Sequence, residues 1–595
     1  MIDVDSLLKE LLPDENKKNK AIIKTTSKLF KKILHQDEIN SFIKANRHLE
    51  GFEFNDAVLD YFDFSFTVSN KDRLRIPDQG RVLIVANHPI GSLDGLALLK
   101  LVSEIRSDVK IVANTLLSQI EPLKDLFFSV DVFGKNSVHK ESIKQIKNAL
   151  EQEQAVIMFP TGEVSRVRPN GVRDGKWKTG FVYLAKKTGA PIVPVHVQAK
   201  NSALFYSLSG LYKPLGTVML VNEMFNKQDK EIAFRFGNPI PWESIEKLGM
   251  SNKSIAKRMR KQVYRLAKKK KNKKRKPLFD TVENVIHPAK SRLIRKELKA
   301  SELIGTTQDG QQIYLFNYQA NSSVMHEVGR LREISFRKVR EGTGHTIDLD
   351  EYDRYYRHLI LWDDNELEIV GSYRIGETGK ILKERGESGL YSNTLFDYDK
   401  TLFPYLENSI ELGRSFIQPR YWGKRSLDYL WYGIGAYLKK NPDIRYMFGP
   451  VSLSASYPES AKQLISAFYG QMFGTAKPLA YARNPYAVEH HEEFQPFTPM
   501  ASEDDYKPAF SLLKTELDKL GVRVPTLYKQ YVELCHPGGC RFIDFNKDNN
   551  FSDCIDALIL VDVEMVKAKK RDRYINRHGN EKNKPQTKIK SKTAA

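Results

Sequence analysis

Residues 81–95 read RVLIVANHPIGSLDG, and the passage from an apolar run into a broken polar turn sets the architecture of the first half of the chain. Val82 to Ala86 is a continuous run of small and branched apolar side chains and reads as a strand. The stretch that follows, SLDGLALLKLVSEI, reads as a helix. Between the two, Pro89 and Gly91 exclude regular helix, so His88 and Asp94 can converge across a turn, with Ser92 expected to cap the helix. A histidine just beyond the carboxyl end of a strand stands where open α/β sheets place their ligand crevice.

The same alternation continues outward. VKIVAN, the helical region around 143–152, AVIMFP, the helical region 182–187 and PIVPVHV succeed one another up to about residue 240, which predicts an α/β sheet with crossover connections. A second α/β body is expected beyond residue 300, where LILWDD, LEIVGSYRI and RYMFGPVSL read as strands and residues 427–440 as a helix. The chain therefore divides into an amphipathic helical segment at 1–55, a domain at 56–267, a basic linker at 268–295, a second domain at 296–566 and a basic disordered tail at 567–595. The halves do not resemble each other.

Composition supports two folded bodies. At 595 residues the chain allows about three to five domains, and its 41% apolar content excludes wholesale disorder. The net charge of +21 is concentrated: KKKKNKKRK at 268–276 holds +8 and residues 567–592 hold +9, which leaves the rest nearly neutral. Such a tether binds anionic lipid or nucleic-acid phosphate, and charge alone does not choose between them. Near the start, Ile22, Ile23, Leu29, Phe30, Ile33 and Leu34 at helical spacing beside several lysines suit an interfacial helix or an ordinary surface helix. Cys535, Cys540 and Cys554 are too few and too local for a disulfide framework, so a reducing, cytoplasmic compartment is expected. No run of about 18 apolar residues occurs, so membrane contact is expected to be peripheral.

His88 and Asp94 have the chemistry of a general base and the carboxylate that fixes its tautomer. AVIMFP leads into Thr161, Gly162, Glu163, Val164, Ser165 and Arg166, where Gly162 admits backbone amides to an anion and Arg166, with Arg168 or Arg173, offers planar donors. Together NHPIGSLDG, FPTGEVSR and PIVPV resemble the glycerolipid acyltransferase family, which includes the lysophosphatidate acyltransferases, over about residues 75–240. The resemblance implies that His88 and Asp94 are the charge-relay pair, that Gly162, Glu163 and Arg166 hold the acceptor, with Asn87 also among the substrate-binding residues, and that the donor is an acyl thioester. Five residues separate His88 from Asp94 where the family has four, and FPTGE stands where it has FPEG. Both departures resemble the branch that acylates lyso-aminolipids.

In the second body, ELGRSFIQPRYWGKRSLDYLW places Glu411 and Arg414 before Arg420, Gly423 and Arg425 at a helix start, a setting for the pyrophosphate or phosphopantetheine of a thioester. With Arg332, Asp350, Asp353 and Arg374 upstream, the order resembles the GNAT superfamily, in particular its acyl-homoserine-lactone-synthase-like and lipo-amino-acid N-acyltransferase branches, over about residues 320–485. The resemblance implies N-acylation of an amine, with Glu411 and Arg414 as catalytic residues. In a regular strand, positions three apart face opposite sides, so these two share a site only if Gly413 marks a bulge. CHPGGC at 535–540 lacks a second ligand pair for zinc, and Asp544, Asn546 and Asp548 lack the glycine and glutamate of a calcium loop, so no metal is expected.

The expected whole is an α/β protein, a glycerolipid-acyltransferase-like domain joined to a GNAT-like domain by a basic linker, and it resembles the bifunctional ornithine-lipid synthases of bacteria. That resemblance implies N-acylation of an amino acid by a 3-hydroxyacyl thioester and then O-acylation of the new hydroxyl, with ornithine favoured and glycine a rival. It also implies coenzyme A or acyl carrier protein as the donor's carrier, no bound cofactor, acyl carrier protein and an anionic membrane surface as partners, and no nucleic acid. A lysophospholipid acyltransferase with an accessory GNAT domain, and a basic adaptor with inactive domains, stay open as alternatives.

Overall fold

The computed structural model describes residues 31, 35–114, 120–130, 137–169, 171–211, 220–225, 231–267, 276–488, 503–551 and 553–576. The chain divides into two units, Met1–His287 and Pro288–Ala595. The strands of the first unit are β1 (Ser65–Val68), β2 (Val82–Ala86), β3 (Val109–Asn114), β4 (Phe127–Val130), β5 (Ala155–Met158), β6 (Arg166–Arg168), β7 (Gly171–Arg173), β8 (Ile192–Gln198) and β9 (Glu231–Phe236). Seven of them make one sheet in the order β1-β9-β8-β2-β5-β3-β4, and β6 pairs with β7 as a separate hairpin. Only the β8–β9 pair in the sheet is antiparallel.

Parallel strands need crossovers, and helices Ser92–Ser103, Ser137–Glu151 and Gly180–Thr188 supply them. With both faces of the sheet covered, every residue of β2 is buried. Ile84 and Ala86 join the core on one face, with Leu98 and Leu101 of the first crossover helix. Leu83 and Val85 join the core on the other, with Phe181 and Leu184. The interfacial stretch expected at Ile22–Leu34 lies outside the described residues, apart from Lys31. Helix Gly51–Tyr61, within the segment expected to be amphipathic, buries Phe54 and Leu59 in this unit's core.

The basic run at 268–275 also lies outside the described residues. The rest of the expected linker is packed rather than free. Asn284 donates to the carbonyls of Leu74 and Ile76, His287 reaches Ile76, and helix Ser291–Lys299 buries Ile294 and Leu298 in the second unit.

The second unit contains β10 (Glu302–Thr306), β11 (Gln312–Asn317), β12 (Arg357–Asp363), β13 (Glu368–Glu377), β14 (Phe396–Tyr398), β15 (Ser409–Ile417), β16 (Tyr446–Leu453), β17 (Ala480–Ala482), β18 (Cys540–Asp548) and β19 (Cys554–Asp562). Eight form a sheet in the order β10-β11-β12-β13-β15-β16-β19-β18, antiparallel except for β15 beside β16. Helix Ser426–Lys440 connects those two parallel strands and packs Leu430, Trp431 and Ile434 into the principal core.

The tail expected to be disordered from 567 onward begins instead with helix Ala568–Tyr574. Tyr574 explains the difference: its ring is buried in the core and its hydroxyl donates to Asp428 at 2.7 Å, which anchors the helix despite its basic sequence. Residues 577–595 lie outside the described residues. Gly435 makes this seat possible, because a Cβ there would stand 2.0 Å from the Tyr574 carbonyl oxygen. Gly435→Ala should therefore dislodge the helix at a cost of about 1–3 kcal/mol, seen as a lower Tm by calorimetry.

Candidate active sites

In the first unit β2 ends on a buried Asn87, whose side-chain amide donates to the Val197 carbonyl at 3.0 Å and accepts from the Val197 N–H at 2.8 Å. Asn87 thus clamps the ends of β2 and β8 and sets the height of the next residue, His88. Gly91, at φ 103°, turns the chain into the helix. Ser92 is the helix's first residue and makes no cap bond, contrary to expectation. Asp94 turns back instead, accepting the Ile90 N–H at 3.0 Å through one oxygen and placing the other 2.8 Å from Nδ1 of His88.

Asp94 is fully buried while the His88 side chain keeps 20% of its surface, so the pair has a sealed end and an open one. Burial acts to lower the His88 pKa, but the charge and hydrogen bonding of Asp94, with the charge of Asp174, outweigh it and raise the pKa above its usual 6.5. Asp174 was not legible in the sequence. It accepts the Ser165 hydroxyl at 2.5 Å, the Trp177 indole at 2.8 Å and the His88 N–H at 3.3 Å, while the Ser165 N–H donates to the His88 carbonyl at 2.7 Å. The FPTGEVSR segment is therefore laced to the histidine through backbone.

The His88 ring stacks on Phe159 with centroids 4.1 Å apart and borders a cavity of about 510 Å³ lined chiefly by apolar side chains, among them Phe54, Leu96, Phe127, Met158 and Phe181. That volume is within the range of about 300–1,000 Å³ typical of small-molecule sites. Gly162 and Lys178 also line it, and a Cβ at Gly162 would stand 3.0 Å from the Lys178 ammonium. Glu163 and Arg166 pair with each other at 3.6 Å; of the three residues expected to hold the acceptor, Gly162 lines the cavity with His88 and Glu163 and Arg166 do not. Lys178, the cation that lines the cavity with His88, escaped the sequence reading because it belongs to none of the motifs.

In the second unit the scattered candidates meet in one buried ion network. Arg332 pairs with Asp353 at 2.8 Å, Arg374 with Asp350 at 2.5 Å and with Asp353 at 3.4 Å, and Arg414 with Asp350 at 3.2 Å and Asp348 at 3.6 Å. Burial would raise the Asp353 pKa, but Arg332 and Arg374 hold it well below the usual carboxylate range. Burial raises that of Asp348. Between β13 and β15, Ser372 faces Phe416 while Arg374 faces Gly413, so β15 carries an extra residue. Arg414 sits in this bulge at φ 49°. Glu411 is buried, accepting the N–H groups of Tyr391 at 3.1 Å and Ser392 at 2.6 Å and the hydroxyl of Tyr356. Arg414 lines a cavity that Glu411 does not reach.

Arg420 pairs with Glu366 at 3.0 Å and with Glu368. Gly423, at φ 76°, and the exposed Arg425 precede helix Ser426–Lys440 and its positive end.

These two sites, on an α/β unit and on a largely antiparallel sheet, define an enzyme that transfers acyl groups. Residues 18–274 match the acyltransferase family and residues 331–432 the acetyltransferase (GNAT) domain. A glycine N(alpha)-acyltransferase of Bacteroides thetaiotaomicron is 32% identical over 49% of this chain and 90% of its own length. A lyso-glycine lipid O-acyltransferase of the same organism is 35% identical over 42% of this chain and 91% of its own. An L-ornithine N(alpha)-acyltransferase of Brucella abortus is 32% identical over 19% of this chain and 40% of its own. The chain belongs to the acyltransferase family and combines an acyltransferase domain with a GNAT domain.

The raised His88 pKa is itself measurable. Nitrogen NMR of the imidazole should place it above 6.5; in Asp94→Asn the largest raising influence is gone, burial prevails, and the value should fall below 6.5.

Proposed function

We propose that the chain makes an aminolipid in two acyl transfers. The second unit joins a 3-hydroxyacyl group to the α-amine of an amino acid, and the first then esterifies the hydroxyl of that product. The observation that carries the reading is the His88–Asp94 pair at the edge of an apolar cavity: imidazole and carboxylate suited to take a proton from an alcohol, with room beside them for a hydrocarbon chain. His88 acts as the base toward the acceptor hydroxyl, and Asp94 holds its tautomer and stabilises the imidazolium. Asp174, Ser165 and Asn87 position the histidine; Gly162 and Lys178 face the acceptor.

Glycine is the amino acid we favour within the ornithine-lipid-like class. The glycine N(alpha)-acyltransferase is 32% identical over 90% of its length, whereas an L-ornithine N(alpha)-acyltransferase of Rhodobacter capsulatus matched over a similar share, 89%, is 25% identical. The donor is a thioester of coenzyme A or acyl carrier protein, received at the helix start near Gly423 and Arg425. The enzyme works in the cytoplasm on the membrane surface, held peripherally by its basic segments; no helix among the described residues is long and apolar enough to cross a membrane.

Cells expressing this chain alone should accumulate a diacylated aminolipid, identified by mass spectrometry of total lipid. His88→Ala should lower O-acylation by about 10²–10⁴-fold or more and leave the mono-acyl amino acid to accumulate. Undiminished diacyl product in that variant would defeat the assignment. O-acylation by the unaltered enzyme should rise with pH through a limb above 6.5, because the raised pKa keeps His88 protonated, and unable to act as a base, at lower pH.

A further inference from the structure

The cavity beside His88 has a distribution of charge that narrows what it can accept. Its walls are apolar along Phe54, Leu96, Phe127 and Phe181, all of them buried. Among the described residues Lys178 is the one charged side chain on the lining besides His88, and no carboxylate lines it. Lys178 is exposed, so the cation stands at the wet rim while the hydrocarbon walls lie inward.

This rim cation is tied to the same strand end as the base. The Lys178 N–H donates to the Pro160 carbonyl at 2.8 Å, and the residue before Pro160 is Phe159, on whose ring His88 stacks. The lysine side chain then crosses Gly162, where a Cβ would stand 3.0 Å from the ammonium and 3.3 Å from Cε. Glycine at this position, at φ 68°, leaves the lane that the lysine occupies. The ammonium makes no hydrogen bond or ion pair among the described residues. The planar donors that suit a phosphate are engaged elsewhere: Arg166 pairs with Glu163 at 3.6 Å, Arg173 lies over the Tyr264 ring at 5.0 Å, and neither lines the cavity. One open ammonium matches a single negative charge, whereas a phosphate monoester brings about −1.5 to −2.

We propose that Lys178 holds the α-carboxylate of the acceptor, so that the first unit recognises N-(3-hydroxyacyl) amino acids by that one charge. The assignment rests on the reading of the first unit as an O-acyltransferase acting on an aminolipid. Amide formation removes the α-ammonium charge of an amino acid and leaves its α-carboxylate. A short amide arm separates this carboxylate from the 3-hydroxyl, and the hydrocarbon tail continues beyond. With the carboxylate at the rim and the tail among the phenylalanines, the hydroxyl falls between them, where His88 borders the cavity. Lys178 reads a group common to all α-amino acids, so it selects the class of acceptor and leaves the choice among amino acids to the second unit.

The test uses the purified full chain with an acyl-coenzyme A donor and N-(3-hydroxyacyl)glycine, its methyl ester or a lysophosphatidate as acceptor, scoring O-acyl product by mass spectrometry. The acid should exceed the ester in kcat/KM by about five- to tenfold, and the advantage should shrink as salt rises. Lys178→Gln should erase the advantage and Lys178→Arg should keep it. Lys178→Glu should instead favour a cationic acceptor, the N-(3-hydroxyacyl) amide of ethylenediamine, over the acid. Partition of the acceptors into detergent is the same for every variant and cancels when their ratios are compared. A merely structural defect, or a lysine acting on the thioester, would lower all acceptors alike.

Lys178 is exposed, so each variant should fold, which the Tm verifies. An acid-to-ester ratio unchanged in Lys178→Gln, whether or not the rates fall, overturns the carboxylate assignment, as does a preference of the unaltered enzyme for lysophosphatidate over the acid. Failure of the unaltered enzyme to acylate any of these hydroxyls overturns the reading beneath it.

Discussion

A charge taken out of water must be matched by an opposite charge or by hydrogen bonds that replace the lost solvation, or the group neutralises. Both units are organised by this requirement. In the first, a fully buried Asp94 is tolerated because His88 and the Ile90 N–H answer its two oxygens. In the second, three arginines, Arg332, Arg374 and Arg414, are answered by Asp348, Asp350 and Asp353. Such networks add little net stability compared with apolar packing, yet removing one member strands its partner, so the arrangement is rigid. Rigidity is what Arg414 needs, since its left-handed backbone at φ 49° is a costly conformation for a non-glycine residue.

Sheet geometry determines where these matched charges meet the outside. In the first unit His88 follows the carboxyl end of β2, where strand pairing stops and the crossover helix has begun to diverge. The second unit reaches a similar result by another route. Its one parallel pair, β15 and β16, lies within an otherwise antiparallel sheet and parts after three paired positions. A gap between strands leaves backbone groups and side chains facing an opening that neither strand can close.

The two units contain cavities of different chemistry. One is apolar with His88 and Lys178 on its lining; the other is smaller and lined by Arg414 with Glu341, Asp548 and Asp556. In the proposed sequence the product of the second unit carries a long acyl chain, which the apolar cavity of the first would receive. In that proposed sequence, having both on one chain would raise the effective concentration of an intermediate that would otherwise disperse into lipid.

Much of this was written in linear order along the chain. The strand Val82–Ala86, the helix-breaking Pro89 and Gly91, the positions of His88 and Asp94 and the two-body division follow from local rules of periodicity and backbone freedom, which act over a few residues. What the sequence could not show is which distant groups meet. Asp174 reaches His88 from 86 residues away, Asp556 and Arg414 come from different strands to line one cavity, and Tyr574 turns a basic stretch expected to be disordered into a packed helix. Glu411 and Arg414, which a regular strand would turn to opposite sides, both reach Tyr391, one at its N–H and the other at its ring, because a bulge intervenes. Those outcomes depend on strand order, register and burial, quantities that exist only once the whole chain has folded and its charges have found their partners.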